Sequence, residues 1–394
     1  MVDRVPEHPG RVRLIPVPGE DNLYDLVRED GATVEGTPLC KATMLPDDVC
    51  NTLGLNTKTA EPKDAIAKIA ELAHIGFGTV KVVLKDASGR GYRGAVIKGL
   101  YKDITTDNSG TAVLGGVPGG TYTLSCDKTW VDASIPSVNC TVSGGITTTV
   151  NMLIASKNEK NATITTTQNI VFSPNILSID VFCVGGGGGG GGYGAMFASG
   201  GGGGGGGYTK TQLNITPTAD TAYLATIGAG GAGSKSSDNQ PIGGSAGGVT
   251  SFMTVSASGG GGSGTYVTNR SAPGGDGGSG GGASATKDYS AGSGGSDGSG
   301  GSGVTTSRGQ GTTTRAFGEA SGALYGGGGG GGGYASRPGG SGGAGGGGTG
   351  GSTGSGYSGS SGYGGGGGGG GSAYGNSGGY GGSGVVLIRW RNRV

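Results

Sequence analysis

The chain has 394 residues and a formal net charge of +1 at pH 7, and 102 of its residues are glycine. A charge this close to zero excludes a strong electrostatic attraction to nucleic acid or to a membrane surface. The sequence also lacks any run of about 18 apolar residues that could form a transmembrane helix. Most of the glycine lies in residues 185–384, so we expect conventional globular packing before this region and a different kind of packing within it.

Residues 1–60 are rich in Pro, Gly and Asp and contain two extended stretches, residues 11–17 and 22–28. Such stretches between turn-forming residues predict a small, strand-containing segment. The first nine residues carry charges and two prolines and have no apolar run of the kind found in a signal peptide. We therefore expect the protein to be synthesised in a cytoplasm.

Residues 61–78 are predicted to form a short helical connector. Pro62 suits a first helical turn, and Ile66, Ile69 and Leu72 recur at helical spacing. A helix of about three turns is marginal alone in water, so its apolar face needs a partner. We expect a homotrimer, held mainly by residues 1–80, to supply that partner. The alternative is a monomer in which the helix packs on the domain that follows it.

Residues 79–155 are predicted to form an antiparallel β-sandwich. Apolar and polar residues alternate over residues 80–85, as expected for a half-buried strand. Turn signals then occur at three places: residues 88–89, 108–110 and 118–120.

This region resembles the carboxypeptidase-regulatory-like sandwich modules, which are related to the prealbumin-like fold. Four segments carry the resemblance: KDASG at 85–89, GAV at 94–96, TDNSG at 106–110 and GTYTL at 120–124. The resemblance implies a non-catalytic spacer or stalk domain.

Residues that could carry catalysis are scarce. The two histidines are His8 and His74, and none of the five cysteines has a metal-ligand spacing such as CxxC. We therefore predict no enzyme activity, no metal site and no cofactor. Cys126 and Cys140 leave two interpretations open, a bridge across neighbouring strands or two reduced, half-buried thiols.

Residues 156–162 are polar and without periodicity, which predicts a linker. Strand-like sequence returns at 170–172 and 176–184, directly before the glycine, and again at 384–390. Because strands bracket the glycine, we expect residues 163–394 to form one closed domain. The predicted fold class is mostly β with non-regular polyproline II: an N-terminal attachment segment and short helix, an antiparallel β-sandwich, and a glycine-rich bundle framed by strands.

The glycine is arranged in patterns. Four uninterrupted runs of eight occur, at 185–192, 200–207, 326–333 and 364–371. Elsewhere a residue other than glycine stands at every third position, and a period of three is the repeat of the polyproline II helix. A helix surrounded by others needs glycine throughout, because any Cβ would block the approach of a neighbouring backbone.

These patterns predict a bundle with octaglycine rods in the centre and G-G-x rods outside. The x side chains, such as Ser279, are expected to point outward. The alternative is a flexible linker, the usual state of Gly/Ser-rich sequence. Equal run lengths, the period of three and the flanking strands favour order.

Residues 163–394 resemble the glycine-rich domains of bacteriophage tail fibres and adhesins, including those of T-even type. The segments that carry this resemblance are 182–193, 200–209, 225–231, 250–252 and 384–390. The N-terminal segments 5–12, 24–28 and 36–43 also resemble the start of tail-fibre proteins from phages and prophages of Gram-positive bacteria. The resemblance implies location in a virion tail, attachment to tail or baseplate proteins, and loops that contact a host receptor.

Aromatic and charged residues in the glycine-region turns are candidates for receptor binding, because Tyr and Arg can stack on sugars and hydrogen-bond their hydroxyl or anionic groups. The candidates are Tyr266, Asn269, Arg270, Lys287, Asp288, Tyr289, Arg308, Arg315, Phe317, Arg337 and Tyr357. Four tyrosines next to octaglycine runs are instead expected to cover rod ends: Tyr193, Tyr208, Tyr334 and Tyr363.

The sequence therefore favours a phage tail fibre or adhesin that binds the virion through residues 1–60 and a bacterial surface receptor, expected to be a glycan, through the glycine-region loops. A glycine-rich structural surface or matrix protein without a specific ligand is the alternative. An enzyme that degrades cell-wall glycans lacks the pair of acids it would need.

Overall fold

The computed structural model describes residues 12–16, 18–19, 24–28, 45–193, 199–235, 243–265 and 271–393. Near the N-terminus, β1 (Val12–Pro16) and β2 (Tyr24–Arg28) pair in antiparallel register. Both strands fall within the extended stretches predicted from the sequence, so that prediction is confirmed for these residues.

Two helices follow, α1 (Asp47–Leu53) and α2 (Pro62–Ile75). The second confirms the predicted helix, whereas the first lies in a segment that was expected to be extended. Asp47 and Asp48 in its first turn complement the helix dipole, and Gly54 ends it in the left-handed conformation at φ 66°. These capping signals account for α1.

The two helices pack on each other through a small core that contains Leu45, Cys50 and Ala65. Ile66 and Ile69 of α2 lie outside this core and are 65% and 54% exposed. The side chain of Leu72 lies outside the described part of the chain. Helix α2 therefore has a partner on one face but leaves an apolar pair uncovered.

Residues 77–153 form a sandwich of two facing sheets. Its strands are β3 (Phe77–Lys85), β4 (Val96–Lys98), β5 (Ile104–Thr105), β6 (Thr111–Pro118), β7 (Gly120–Cys126), β9 (Val138–Val142) and β10 (Thr147–Leu153). The sheet orders are β10-β3-β6 and β5-β4-β7-β9. Both sheets contribute to one core, to which β3 supplies Val80, Val82 and Leu84.

The pairing in this sandwich is antiparallel with one exception. β10 runs parallel to β3, with Val150 opposite Val82. All the remaining strands of the sandwich lie between β3 and β10 in the chain. This long connection lets β10 enter the sheet in the same direction as β3.

The cysteine thiols in the described residues are free, so the interpretation with two reduced thiols is confirmed for Cys126 and Cys140. In the β7–β9 register Cys140 lies opposite Tyr122, four residues before Cys126. Four residues of strand separate Cα positions by roughly 13 Å, far beyond disulfide reach. Burial raises the pKa of the Cys183 thiol to about 12, so this thiol stays protonated.

A buried polar junction joins the sandwich to the C-terminal domain. β8 (Ala133–Ser134) pairs with β11 (Ala155–Ser156). Asp132 is fully buried, and its carboxylate accepts hydrogen bonds from the backbone N–H and the hydroxyl of Ser173 at 2.8 and 2.7 Å. Asn175 donates to the carbonyl of Ile154 at 2.7 Å. The predicted linker, 156–162, therefore begins in β11 and ends in β12 (Asn161–Ile164). It connects two domains that also hydrogen-bond to each other through Asp132 and Asn175.

The strands of the C-terminal domain form a second sandwich. They are β12 (Asn161–Ile164), β13 (Gln168–Val171), β14 (Ile176–Val184), β15 (Thr209–Ile215), β16 (Ala222–Thr226), β17 (Thr250–Phe252), β18 (Val255–Ala257) and β19 (Val385–Asn392). The sheet orders are β12-β19-β14-β15 and β13-β16-β17-β18. Phe172, Phe252 and Trp390 are among the buried residues of their shared core. The glycine region is thus anchored on a hydrophobic core that its composition did not predict.

From this sandwich the chain continues into a lattice of glycine rods. Three consecutive amides of run 185–192 donate to three different segments, Gly188 to Gly205, Gly189 to Ser245 and Gly190 to Gly379, at 2.8 to 2.9 Å. Three residues after Gly188, Gly191 returns to the first of these segments at Gly202. A partner that recurs every third residue matches a helix with three residues per turn.

The carbonyls of the same run accept from three further segments. The amide of Gly231 donates to the carbonyl of Gly187, that of Gly367 to Gly188 and that of Ser263 to Gly189, at 2.8 to 3.1 Å. One rod is therefore surrounded by six neighbours, three that accept from it and three that donate to it.

The four octaglycine runs lie together at the centre of the lattice, and all their glycines are buried. Hydrogen bonds connect the runs directly, for example from Gly329 to Gly204 and from Gly366 to Gly327. Outer rods expose their third residue, as at Ala229 and Ala232. The predicted arrangement of inner and outer rods is confirmed.

Ser279 departs from this arrangement. It was expected to point outward but is fully buried, and its hydroxyl accepts a hydrogen bond from the N–H of Gly298 at 3.2 Å. The chain bends at residues 277–279, so the period of three is interrupted and the side chain turns inward. The outward orientation predicted for Ser279 is wrong.

The lattice alone gains little net free energy. A backbone hydrogen bond contributes about 0.5–1.5 kcal/mol net, whereas ordering one residue costs about 1–2 kcal/mol and glycine loses the most freedom. The core of the second sandwich and the close fit of many rods must supply the difference. Any change that separates two rods should therefore destabilise the whole domain.

We predict that Gly329→Ala destabilises the protein strongly. A Cβ at Gly329 would fall on the carbonyl of Gly367, and moving the rods apart would break the hydrogen bonds from Gly329 to Gly204 and from Gly282 to Gly329. Two such bonds are worth about 1–3 kcal/mol. Denaturant unfolding of the full chain measures the loss.

Gly354→Ala is the matched control, because a Cβ there meets nothing within 4 Å. This variant should lie within about 0.5 kcal/mol of the unmodified chain, as is usual for a surface change. Equal stabilities for the two variants would contradict the lattice.

Candidate functional site

The two ends of the glycine bundle differ. Run 185–192 follows β14 directly, so Gly185 lies beside the sheets, at what we call the near end, and Gly192 lies at the opposite, far end. Hydrogen bonds from Gly191 to Gly202, Gly332 to Gly201 and Gly370 to Gly191 bring all four octaglycine runs to the same far end. Turns that connect rods at the far end are the loops farthest along the bundle from the sandwiches.

The far-end surface includes four described turns that adjoin one another: residues 286–290, 334–338, 352–354 and 372–376. The first adjoins the others because Ala285 donates to the carbonyl of Gly332 at 2.8 Å. The third does so because Gly351 donates to Gly369 at 2.9 Å.

Arg337 connects two of these turns. Its guanidinium donates to the hydroxyl of Ser290 through Nη1 and to the carbonyl of Lys287 through Nη2, both at 3.2 Å. The turn around Arg337 is closed by mutual backbone hydrogen bonds with Tyr334 at 2.8 and 3.1 Å. Arg337 is thereby held in place while remaining half-buried.

The turn at 286–290 presents three candidate residues together. Thr286 organises it, because its N–H donates to the carbonyl of Tyr289 at 2.9 Å and its hydroxyl accepts from the N–H of Tyr289 at 3.2 Å. Lys287, Asp288 and Tyr289 are all exposed, and Tyr289 is 52% exposed. Lys287, Asp288, Tyr289 and Arg337 are the far-end cluster.

The turn at 372–376 adds residues that sequence reasoning missed. Tyr374 is 71% exposed. The side chain of Asn376 donates to the carbonyl of Thr353 at 2.8 Å, which binds this turn to its neighbour. Ala335 donates to the hydroxyl of Ser372 at 2.8 Å. Tyr374 lies three residues after the octaglycine run 364–371, so a search of the residues shortly after each run, rather than only the next one as for Tyr334, would have found it.

Four of the predicted binding residues lie elsewhere. Arg308 and Tyr357 are exposed along the side of the bundle, where the backbone N–H of Arg308 donates to Asp276 at 2.6 Å. Arg315 lies at the near end, where it pairs with Asp297 at 3.2 Å. Polar turns occur at both ends of an antiparallel bundle, so these three residues lie apart from the far-end cluster.

Phe317 is the fourth of these residues, and it lies in a short 3₁₀ turn, Ala316–Gly318, at the near end. Its ring centroid lies 5.9 Å from that of Phe182, and the guanidinium of Arg389 covers it at 4.3 Å. The other predicted residues, Tyr266, Asn269 and Arg270, lie outside the described residues.

The four tyrosines expected to cover rod ends divide between the two ends. Tyr193 and Tyr334 lie at the far end and are half-buried. Tyr208 and Tyr363 lie at the near end, where Tyr363 stacks on Tyr325 at 5.1 Å between ring centroids.

The near end contains a buried carboxylate. Asp180 on β14 is 1% exposed and pairs with Arg389 at 2.8 Å and Arg391 at 3.0 Å, both on β19. Burial by itself raises the pKa of this carboxyl. Hydrogen bonds from the backbone N–H of Asn214 and from both arginines outweigh it, so the pKa lies below its ordinary value of 3.8. Arg389 also pairs with Glu319 at 2.6 Å.

These two regions differ in what they can do. The far-end cluster offers exposed aromatic and charged groups on fixed turns, which suits recognition of a polar ligand. Within the described residues, no group of three or more His, Cys, Asp and Glu side chains could hold a metal ion. In that same part of the chain, no helix is long and apolar enough to cross a membrane.

Comparison with known proteins identifies one family. The sequence matches the family described as Glycine-rich domain over residues 161–391, which is more than half of the chain. No curated protein matches the chain. A solved structure titled "The Bacillus anthracis TIE protein" is 16% identical over 28% of this chain and 22% of that chain, with a TM-score of 0.20. The aligned region thus spans about a fifth of that protein, and a similarity of this size carries no argument about fold or function.

We predict that Asp180→Asn lowers stability at neutral pH by about 1–3 kcal/mol, because the amide loses charge-assisted hydrogen bonds to two arginines. A depressed folded-state pKa stabilises the fold above the unfolded value and loses this effect as pH falls through the folded value. The difference between the two proteins should therefore shrink below about pH 4. Unfolding measured from pH 7 to pH 2 tests this, and a difference independent of pH would contradict it.

Proposed function

The chain belongs to the glycine-rich domain family across residues 161–391, and from the resemblance of its segments to phage tail fibres we propose that it is a tail fibre or adhesin of a phage or phage-like particle. In this proposal residues 1–60 attach to tail or baseplate proteins of the virion. The far-end surface binds a glycan on the bacterial cell. The protein acts without enzymatic activity, cofactor or membrane insertion.

The observation that carries the proposal is the far-end cluster itself. Arg337, Lys287 and Tyr289 come from turns more than 40 residues apart in sequence, and direct hydrogen bonds hold those turns together. Tyr289 and Tyr374 are more than half exposed. Exposed tyrosines beside a fixed guanidinium can stack on sugar rings and bind their hydroxyl or anionic groups.

The lattice beneath the cluster supports the same proposal. Loops on a rigid scaffold can bind with little loss of conformational entropy. The buried junction at Asp132 and Asn175 joins this scaffold to the first sandwich, which we interpret as the spacer between virion and receptor. Its resemblance to carboxypeptidase-regulatory-like modules agrees with a non-catalytic spacer.

We predict that the double variant Tyr289→Ala with Arg337→Ala binds host cells at least about tenfold more weakly, since two central contacts of a binding site are removed. The measurement is flow cytometry of the labelled full chain on a panel of Gram-positive bacteria and on their extracted wall glycans. Unfolding curves of both proteins check that the fold is retained.

Tyr357→Ala with Arg308→Ala is the matched control, because it removes the same two residue types from the side of the bundle. This variant should bind as the unmodified chain does. Equal losses in the two variants would contradict the far-end site. Absence of binding across the whole panel would favour a structural surface or matrix protein, and release of reducing sugar from the wall would favour an enzyme.

The homotrimer remains part of the proposal. Ile66 and Ile69 are uncovered although α2 already packs on α1, which supports a second copy as their partner. Three linked sugar sites would raise avidity by about 10²–10⁴.

Light scattering is expected to show a trimer for the full chain and a monomer for a chain truncated to begin at Thr79. A full-length monomer would contradict the trimer. A trimer that survives the truncation would contradict an interface in residues 1–80.

A further inference from the structure

A cleft of about 450 Å³ lies at the near end, away from the far-end surface. One wall is the edge strand β12 with the residue before it, the floor is β19, and the opposite wall is the turn around Phe317. The cleft is lined by Lys160, Asn161, Ala162, Thr163, Asp180, Phe317, Glu319, Leu387, Ile388, Arg389, Trp390 and Arg391. This volume is within the usual range for small-molecule sites.

The wall formed by Phe317 is held in an uncommon backbone conformation. Phe317 has φ 56°, in the left-handed region that bulky residues rarely adopt. Packing on Phe182 and the cover of Arg389 keep the ring in place. Such conformations persist where the surrounding structure enforces them, and they concentrate at ligand-binding sites.

The carboxylates of the cleft are paired, whereas some of its cationic N–H groups have no partner in the described part of the chain. Both carboxylates are occupied, Asp180 by two arginines and Glu319 by Arg389. Among the described residues, Lys160 Nζ and Arg389 Nη2 have no hydrogen-bond partner. The side chains of Asn161 and Thr163 likewise have none there.

The groups that remain available are therefore mainly donors, and two of them are cationic. Three cations and two carboxylates line the cleft, so its balance is positive. Leu387 and the edge of Phe317 add apolar surface. A ligand that matches this lining needs acceptor oxygens, a negative charge and a C–H face.

We propose that this cleft binds an acidic sugar residue, that is, a pyranose that carries a carboxylate or a phosphate. Lys160 and Nη2 of Arg389 contact the anionic group, Asn161 and Thr163 contact the ring hydroxyls, and Leu387 packs against the C–H face of the ring. The site goes beyond the proposed far-end function and does not depend on it.

The test is titration of the full chain with glucuronate, glucose 6-phosphate and glucose, followed by saturation-transfer NMR. At least one of the two acidic sugars should bind, and which of them binds shows whether the site prefers a carboxylate or a phosphate. Glucose should bind at least about tenfold more weakly. Lys160→Gln should weaken binding of the acidic sugars about tenfold, and Lys160→Arg should retain it.

Lys210→Gln is the control, because Lys210 is exposed on β15 at the opposite edge of the same sheet. It should leave acidic-sugar binding unchanged. Equal losses in the two glutamine variants would show a non-specific charge effect and overturn the site. Absence of binding by both acidic sugars, or equal binding of glucose, would also overturn it. Tyr289→Ala with Arg337→Ala should leave this binding intact, so failure of one site can be distinguished from failure of the other.

Discussion

The approach of backbones to hydrogen-bonding distance on every side is the constraint on which this structure depends. A Cβ at almost any octaglycine position would overlap a neighbouring carbonyl, as at Gly188 and Gly329. Side chains are therefore excluded from the centre and appear only where a rod meets solvent or where the chain turns. The composition of the domain follows from this geometry, because glycine is the residue that permits six neighbours around one rod.

The same constraint assigns the functional chemistry to the ends of the bundle. Since the rods carry almost no side chains, recognition has to come from turns, and the lattice fixes the positions of those turns. At the far end it brings together Lys287, Tyr289 and Arg337 from separate turns. At the near end the sheets supply what glycine lacks, a hydrophobic core and the ion pairs of Asp180. The marginal free energy of the lattice explains why it is attached to such a core.

Local patterns in the sequence predicted the parts of the fold that local physics decides. Strand β14, helix α2 and the central position of the octaglycine runs follow from periodicity and from the steric demand of glycine. The parallel pairing of β10, the inward side chain of Ser279 and the end at which each turn lies could not be predicted. These depend on the three-dimensional path of the chain, as the near-end position of Arg315 shows. The sequence therefore predicted the residue types of the candidate site, Tyr, Arg and other charged residues in turns, but only some of the individual residues that form it.

Amide hydrogen exchange of the octaglycine runs tests the central claim most directly, with the glycines labelled for NMR. If interlocked backbone hydrogen bonds hold the rods, the amides of Gly188, Gly204 and Gly329 exchange as slowly as those of β14, because they are released only by unfolding of the domain. Exchange of these glycine amides at the rate of an unstructured peptide, while β14 stays protected, would contradict the account.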